Sequence, residues 1–182
     1  MAQTKTAVFG GGCFWCTEAV FRMLRGVIEV EPGYAGGAAT DPSYEQVSSG
    51  KTGHAEVIRI TYDPAEISYD DLLTVYFASH DPTTPNRQGA DVGTQYRSII
   101  LPESDEEGKI AQRRIDELQG ELKNGTRVVT EVQKLEKFYP AEDYHKKYFE
   151  NNKSTPYCQI VIEPKIEKVR ARFEKLLKDK SV

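Results

Sequence analysis

The amino-terminal stretch TKTAVFGGGCFWCTEAVFRML, residues 4–24, joins a short apolar run to a helix-like segment through three consecutive glycines. The apolar run predicts a strand over 5–9, and the residues after the glycines predict a helix over 13–25. Gly10–Gly12 allow a sharp turn between the two, because glycine lacks a Cβ atom. The stretch therefore predicts a strand–turn–helix unit with Cys13 at the mouth of the helix.

Outward from this unit, the pattern mixes strands and helices without strict alternation. Further strands are predicted over 26–34, 54–62, 95–101 and 126–133, and further helices over 68–79, 104–123 and 141–152. Ser68 is expected to cap one helix, and Ser104 with Glu107 to form a capping box at the next. The segment TPYCQIVIEP predicts a strand or an extended carboxy-terminal arm before a last amphipathic helix. This order favours an α+β two-layer sandwich, with helices packed on a mixed sheet.

Length and composition bound the class of protein. The chain has 182 residues, of which 38% are hydrophobic and 29% charged, so we expect one globular domain spanning residues 1–182. The net charge of −4 offers no basic face and argues against nucleic acid as a partner. No apolar run approaches a membrane span of about 18 residues. The amino terminus does not read as a signal peptide, so we expect a cytoplasmic protein.

The chain has three cysteines, an odd number. A reducing compartment argues against structural disulfides, so the thiols are core residues, metal ligands or redox groups. Cys13 is predicted in the first helical turn, where the helix dipole favours an anion and lowers the pKa of a thiol. Cys16 follows three residues later on the same face of the helix and within reach of Cys13.

Two other interpretations of the thiols stay open. The first is a zinc site, in which Cys13, Cys16 and Cys158 join one of His54, His80 or His145, although zinc sites typically have two closely spaced ligand pairs. The second is a thioredoxin-like dithiol. Phe14 and Trp15 between the thiols are more typical of a pocket for an apolar group such as a methyl or a thioether.

The segment GHAEVIRITYD, residues 53–63, predicts a buried carboxyl group. In a strand, Glu56 shares one face with Ile58 and Ile60. Burial there raises the pKa of the carboxyl, and a neutral acid at pH 7 can serve as a general acid. The alternative is an ion pair with Arg97 or Arg87. Three further polar residues flank turns or lie in the long loop over 80–94, where they can face a cleft, namely Tyr44, Asp91 and Tyr96.

Four strings together carry a family resemblance: GCFWC, SYEQVSSGKTGHAEV, HDPTTPNRQGADVGTQYRS and AEDYHKKYFENN. With them the chain resembles the A-type peptide methionine sulfoxide reductases from about residue 5 to residue 163. The resemblance implies a ferredoxin-like core, no metal and no bound cofactor. It also implies reduction of the S epimer of methionine sulfoxide, free or in proteins, with thioredoxin as the reductant. We expect a monomer.

Carried over by motif, the resemblance implies a role for each site residue. Cys13 is implied to be the nucleophile that becomes a sulfenic acid, and Phe14 and Trp15 the wall that receives the substrate methyl group. Glu56 is implied to protonate the sulfoxide oxygen. Tyr44 and Tyr96 are implied to hydrogen-bond that oxygen, while Asp91 supports the site.

This sequence departs from its relatives at the cysteines that could supply the second thiol, which resolves the sulfenic acid. Cys16 stands where glycine is common, and Cys158 is single where some relatives carry two cysteines. We expect Cys158 to resolve the sulfenic acid, because a mobile arm can deliver it at a small loop-closure cost. Cys16 is the competitor or a second relay.

Overall fold

A computed structural model describes residues 3–178 and their secondary structure. The strands are β1 (Lys5–Gly10), β2 (Val27–Ala35), β3 (Ala55–Tyr62), β4 (Arg87–Gln88), β5 (Asp91–Val92), β6 (Ile99–Ile100), β7 (Glu131–Val132) and β8 (Phe138–Pro140). The helices are α1 (Phe14–Phe21), α2 (Tyr44–Ser48), α3 (Tyr69–Ser79), α4 (Asp105–Glu121), α5 (Tyr148–Asn151) and α6 (Glu163–Arg172). Residues 1–2 and 179–182, the ends of the predicted domain, lie outside this range.

One sheet organises the molecule, with strands in the order β7-β6-β1-β3-β2-β8. The strands β6, β1, β3, β2 and β8 pair antiparallel, whereas β6 and β7 pair parallel. The strands at both edges are short, and β8 ends in Pro140. The predicted mixed sheet and α+β class are therefore confirmed. A separate hairpin of β4 and β5 lies within the predicted loop over 80–94.

The main core lies between one face of the sheet and the helices. Its buried residues include Phe9, Ile58 and Ile60 from the strands, together with Phe21 and Leu72 from α1 and α3. A smaller apolar cluster covers the opposite face of the sheet, with Leu135 and Phe138 packed against it. The first four residues of β3, Ala55, Glu56, Val57 and Ile58, are all buried, whereas Arg59 and Thr61 are half-buried. This burial positions Glu56 in an apolar environment.

Local signals fixed several helix boundaries as predicted. Ser68 caps α3 by accepting a hydrogen bond from the Asp71 amide, and the Asp71 carboxylate accepts in return from the Ser68 amide. At α4, Ser104 accepts from the Glu107 amide. The Glu107 carboxylate, however, accepts from the Glu103 amide, so the predicted reciprocal capping box is not formed there.

The carboxy-terminal segment is the main departure from the predicted fold. Residues Cys158–Ile162 form a π-helical turn that continues directly into α6. The predicted strand or extended arm is therefore wrong. The β-branched residues favour a strand locally, but burial of Cys158 and Ile162 in the core overrides that preference. Pro164 is tolerated because it stands at the first turn of α6.

Other differences are smaller. The strand predicted over 95–101 is reduced to β6, preceded by a 3₁₀ turn at Thr94–Tyr96. The strand predicted over 126–133 is reduced to β7, and β8 was not predicted. Within residues 3–178, no helix combines the length and apolar character needed to cross a membrane.

Candidate active site

The turn between β1 and α1 leads to Cys13 and leaves no space for side chains at its glycines. A Cβ atom at Gly10 would lie 2.8 Å from the Glu56 carbonyl oxygen. Gly12 has a φ of +88°, in the left-handed region that favours glycine, and its amide donates to the Tyr96 carbonyl at 3.2 Å. Cys13 follows as the N-cap of α1, with extended backbone, rather than inside the first turn as predicted.

Burial controls the ionisation of Cys13. Its side chain is only 7% exposed. Burial, its hydrogen bond to Cys16 and the charge of Glu56 raise the pKa of the Cys13 thiol well above its usual range. The predicted lowering of this pKa is therefore wrong for this state of the protein. The same hydrogen bond, donated by Cys13, lowers the pKa of Cys16.

Glu56 lies in β3 beside the mouth of α1. Its side chain is 1% exposed, and its Oε2 accepts a hydrogen bond from the Phe14 amide at 3.0 Å. Burial raises the pKa of this carboxyl to about 8, so the group is mainly protonated at pH 7. The alternative ion pair is not formed. Arg97 pairs instead with Glu131 at 3.2 Å, and the Arg87 Nε donates to the Gly89 carbonyl.

Aromatic rings surround the two residues that follow Cys13. Phe14 is fully buried, with its ring centre 4.9 Å from that of His145. Trp15 stacks on Tyr148 with ring centres 3.7 Å apart and planes 5° apart. The Trp15 Nε1 donates to Nδ1 of His145 at 2.9 Å. The indole is therefore fixed on its face and at its nitrogen.

Tyr44 and Tyr96 reach the same region from two different segments. Tyr44 begins α2, and its amide donates to the Glu142 carboxylate at 2.8 Å. Burial, followed by the charge of Glu56, raises the pKa of both tyrosine hydroxyls. The centre of the Tyr44 ring lies 4.5 Å from that of His145, and the Tyr96 carbonyl accepts from the Gly12 amide beside Cys13.

Asp91, in β5, is connected to the thiols through Tyr157. The Tyr157 hydroxyl donates to Asp91 Oδ2 at 3.0 Å and lies 3.7 Å from the Cys16 Sγ. Its ring meets the edge of Trp15 at 5.7 Å between centres. Sequence reasoning did not identify Tyr157, although Tyr157 immediately precedes Cys158 in the segment considered for the resolving thiol.

Within the described residues, Cys158 has no side-chain hydrogen bond to Cys13 or Cys16. It is fully buried in the core and lies in the π-helical turn, so it is not carried by a mobile arm as expected. The histidines considered for a zinc site are also engaged elsewhere. His54 accepts from the Gly37 amide, and His80 bonds the Tyr76 carbonyl and Ser98. Over residues 3–178, no three His, Cys, Asp or Glu side chains are grouped to hold a metal ion.

A buried thiol beside a neutral carboxyl and a wall of aromatic rings is the arrangement of a cysteine-dependent enzyme. The chain belongs to the peptide methionine sulfoxide reductase family, whose family model, described as "Peptide methionine sulfoxide reductase", matches residues 5–177. The family predicted from the sequence motifs is confirmed.

Individual relatives agree with this assignment. The chain is 53% identical to peptide methionine sulfoxide reductase MsrA of Sulfolobus acidocaldarius, over 93% of this chain and 95% of the relative. It is 58% identical to MsrA of Nautilia profundicola, over 89% and 92%. Reduced Mxr1 of Saccharomyces cerevisiae is similar in structure, with a TM-score of 0.79 and 34% identity over 86% of this chain and 90% of Mxr1. Mxr1 has also been solved in complex with Trx2, and in that form its TM-score is 0.56 at 24% identity, over 81% and 86%.

Proposed function

We propose that this chain is a peptide-methionine (S)-S-oxide reductase, which reduces the S epimer of methionine sulfoxide in free, peptide-bound and protein-bound methionine. The proposal rests on a buried Cys13 thiol that lies close to the neutral carboxyl of Glu56. This carboxyl accepts a hydrogen bond from the amide of Phe14, the residue after Cys13. Membership of the family supports the same activity. A methionine repair enzyme needs both a nucleophile for sulfur and an acid for oxygen.

The residues divide the chemistry among them. Glu56 donates a proton to the sulfoxide oxygen, and the hydroxyls of Tyr44 and Tyr96 stabilise the charge that develops there. The pKa of Cys16 is lowered to about 7, so its thiolate can accept the proton of Cys13, and the Cys13 sulfur attacks the substrate sulfur. The sulfur–oxygen bond of the substrate then breaks, and the oxygen becomes bonded to the Cys13 sulfur. The temporary bond between the two sulfurs breaks as well, so methionine leaves and Cys13 is left as a sulfenic acid.

The aromatic wall explains the choice of epimer. Phe14 and Trp15 receive the methyl group, while Glu56 receives the oxygen. With these two groups fixed, only one configuration at sulfur presents its remaining face to Cys13. The support for this step is the immobilisation of the indole by Tyr148 and His145.

Cys16 is the resolving thiol in this proposal, in place of the expected Cys158. Cys16 lies one helical turn from Cys13 and shares a hydrogen bond with it, whereas Cys158 is fully buried in the π-helical turn. The Cys16 thiol attacks the sulfenic acid, the Cys13–Cys16 disulfide forms, and water leaves with the oxygen. A dithiol reductant then reduces this disulfide and is itself oxidised to a disulfide.

Thioredoxin is the proposed reductant. The family supports this assignment, and Mxr1, a relative of similar fold, has been solved with Trx2. One thioredoxin thiolate attacks the Cys13–Cys16 disulfide and forms a mixed disulfide, which frees one thiol. The second thioredoxin thiol then displaces the other, so both thiols are restored and thioredoxin is left as a disulfide. No metal and no bound cofactor take part in these steps.

The finer architecture belongs to the same proposal. The antiparallel order β6-β1-β3-β2, with α1 after β1 and α3 after β3, supports a ferredoxin-like core. We assign residues 1–182 to one catalytic domain that works as a cytoplasmic monomer, binding neither nucleic acid nor membranes. Light scattering of the purified protein tests the monomer, because a dimer would double the measured mass.

The activity is tested with the two resolved epimers of a methionine sulfoxide peptide and a thioredoxin system. We expect turnover of the S epimer alone, and loss of turnover in Cys13→Ser. Equal rates on both epimers would contradict the proposed pocket. The nearness of Cys13 and Cys16 also fits a general thiol–disulfide oxidoreductase. Rapid reduction of insulin disulfides with no sulfoxide turnover would favour that function.

The resolving thiol is tested by Cys16→Ser and Cys158→Ser, made separately. We expect Cys158→Ser to keep multiple turnovers with thioredoxin, and Cys16→Ser to stop after about one turnover. Mass spectrometry after one turnover without reductant should find Cys13 linked to Cys16. A Cys13–Cys158 linkage in the wild-type protein would reject this assignment.

A further inference from the structure

We propose that Glu18 is a positioning residue that fixes Trp15 in the substrate pocket by holding the segment from His145 to Tyr148. This inference rests on the proposed function, in which Trp15 receives the substrate methyl group. Glu18 belongs to neither the proposed chemistry nor the family motifs considered above. Its carboxyl is almost completely buried, at 1% exposure, which calls for a structural reason.

The reason lies in a hydrogen bond between two distant parts of the chain. Glu18 lies on α1, and its Oε1 accepts from the Lys147 amide at 2.8 Å. Lys147 has a φ of 53°, in the left-handed region that non-glycine residues avoid. The bond from Glu18 compensates for this unfavourable conformation by satisfying the amide that the turn directs into the protein.

The left-handed turn at Lys147 lies between two residues that contact the Trp15 indole in different ways. His145, before the turn, accepts the Trp15 Nε1–H at 2.9 Å. Tyr148, directly after the turn, stacks flat on the indole at 3.7 Å. An ordinary right-handed residue at position 147 would send the chain in another direction, and both contacts could not be made together.

Trp15 and Glu18 stand three residues apart on α1 and therefore lie on the same helical face. Helix α1 thus contacts the segment over 145–148 at two points, through the Trp15 indole and through the Glu18 carboxyl. If the Glu18 contact is lost, we expect the segment to relax at Lys147. Tyr148 then leaves the indole face, and Trp15 gains freedom to rotate.

The test uses Trp15 as a spectroscopic probe, because it is the only tryptophan in the chain. In Glu18→Ala we expect acrylamide quenching of its fluorescence to increase about twofold as the stacked ring is released. We expect KM for a methionine sulfoxide peptide to rise about tenfold, with kcat changed less than about threefold, because binding of the methyl group is what weakens.

Rescue separates positioning from general damage. Lys147→Gly removes the penalty of the left-handed turn, so adding it to Glu18→Ala should restore quenching and KM toward the wild-type values. Glu150→Gln is the matched control. It breaks the exposed contact of Glu150 with Arg22 close to the same segment and should leave both readouts unchanged. Glu18→Asp keeps the carboxyl group but shortens its reach, so it should give intermediate values. It replaces Glu18→Ala in the test if that variant does not fold.

Wild-type quenching and KM in a folded Glu18→Ala or Glu18→Asp protein would overturn the proposal, as would the absence of rescue by Lys147→Gly. The quenching measurement needs no turnover. If the wild-type protein fails to reduce methionine sulfoxide at all, the proposed function fails, while increased quenching in Glu18→Ala still establishes that Glu18 positions Trp15.

Discussion

At the scale of single residues, Glu56 combines a functional advantage with a structural cost. Glu56 is almost completely buried, and only the Phe14 amide donates to its carboxyl among the described residues. Burial raises its pKa from 4.5 to about 8. Between these values the folded protein holds a proton that the unfolded chain has released. Raising the pH through this range therefore lowers the free energy of unfolding.

Glu56→Gln should consequently change activity and stability in opposite directions. The amide cannot donate an acidic proton, so we expect the rate of sulfenic acid formation to fall about 10²–10⁴-fold. The oxygen of the Gln side chain can still accept the hydrogen bond from the Phe14 amide, but the side chain at position 56 no longer ionises. The variant's free energy of unfolding should therefore exceed that of the wild type increasingly from about pH 5 to about pH 8. Single-turnover kinetics and urea unfolding at several pH values measure the two effects.

Glu131→Gln provides the control for this variant. Glu131 is a half-exposed carboxylate that pairs with Arg97 at 3.2 Å. Arg97 keeps its hydrogen bonds to the Thr94, Gly36 and Gly53 carbonyls in this variant, so neither the rate nor the pH dependence should change appreciably. An unchanged rate in Glu56→Gln across neutral pH would remove the acid from the mechanism.

At the scale of elements, the connection from β1 to α1 depends on close packing against α3. A Cβ atom at Gly11 would lie 3.0–3.2 Å from three atoms of the His80 ring. The ring is held in place from both sides, by the Tyr76 carbonyl at 2.7 Å and Ser98 Oγ at 2.7 Å. The connection that carries Cys13 thus rests on a ring that has little room to move.

Gly11→Ala should therefore damage both the fold and the site. We expect a loss of about 1–3 kcal/mol in the free energy of unfolding, because the added methyl overpacks the turn. We also expect a lower rate of iodoacetamide reaction or turnover at Cys13, as the turn shifts. Gly120→Ala is the matched control. Its Cβ meets nothing within 4 Å in α4, so alanine should stabilise the helix by about 0.5–1 kcal/mol. A Gly11→Ala protein as stable as the wild type would refute this account of the turn.

Elements were predicted well where the signal is local and poorly where distant contacts decide. Ser68 and the apolar period of α3 lie together in the sequence, and the helix begins where they indicate. The segment containing Cys158 is rich in β-branched residues, yet it is helical because its apolar face completes the core against α1. Nothing within ten residues of Cys158 carries that information.

The same distinction applies to the site. Glu56 could be found from the alternation of β3 alone, and Cys13 from the glycines that precede it. Tyr157 and Glu18 could not, because their roles depend on partners 66 and 129 positions away along the chain. The pKa of Cys13 was predicted with the wrong sign for a related reason: the helix dipole is local, whereas the burial that outweighs it comes from the whole pocket.

At the scale of the whole molecule, a hydrogen-bonded chain of side chains joins segments that are far apart in the sequence. His80 Nδ1 donates to the Tyr76 carbonyl, so its Nε2 accepts from Ser98, which also contacts Thr130 Oγ1 at 2.8 Å. The Tyr76 hydroxyl donates to the Gly10 carbonyl at 2.8 Å. This arrangement requires neutral His80. Burial accordingly lowers its pKa from 6.5 to about 4.

Acid should therefore weaken the fold through His80. Between about pH 6.5 and about pH 4 the unfolded chain binds a proton at this histidine that the folded protein excludes, so stability falls as pH falls. His80→Asn retains a donor for the Tyr76 carbonyl but does not titrate. We expect the variant to be less stable at pH 7, yet to lose less of its free energy of unfolding between pH 7 and pH 5. Urea unfolding measures both proteins. If the wild type and His80→Asn lost the same free energy of unfolding between pH 7 and pH 5, His80 would not be the group that weakens the fold in acid.

The short strands at the two edges of the sheet limit how other polypeptide chains can pair with the protein. An oxidised cell contains partly unfolded chains whose exposed backbone pairs readily with any free strand. Here β7 offers two residues and β8 three, the last of them Pro140, which has no amide hydrogen to donate. An unfolded chain therefore finds few free backbone groups at these edges with which to form strand hydrogen bonds. A repair enzyme built this way can handle damaged polypeptides without being drawn into their aggregates.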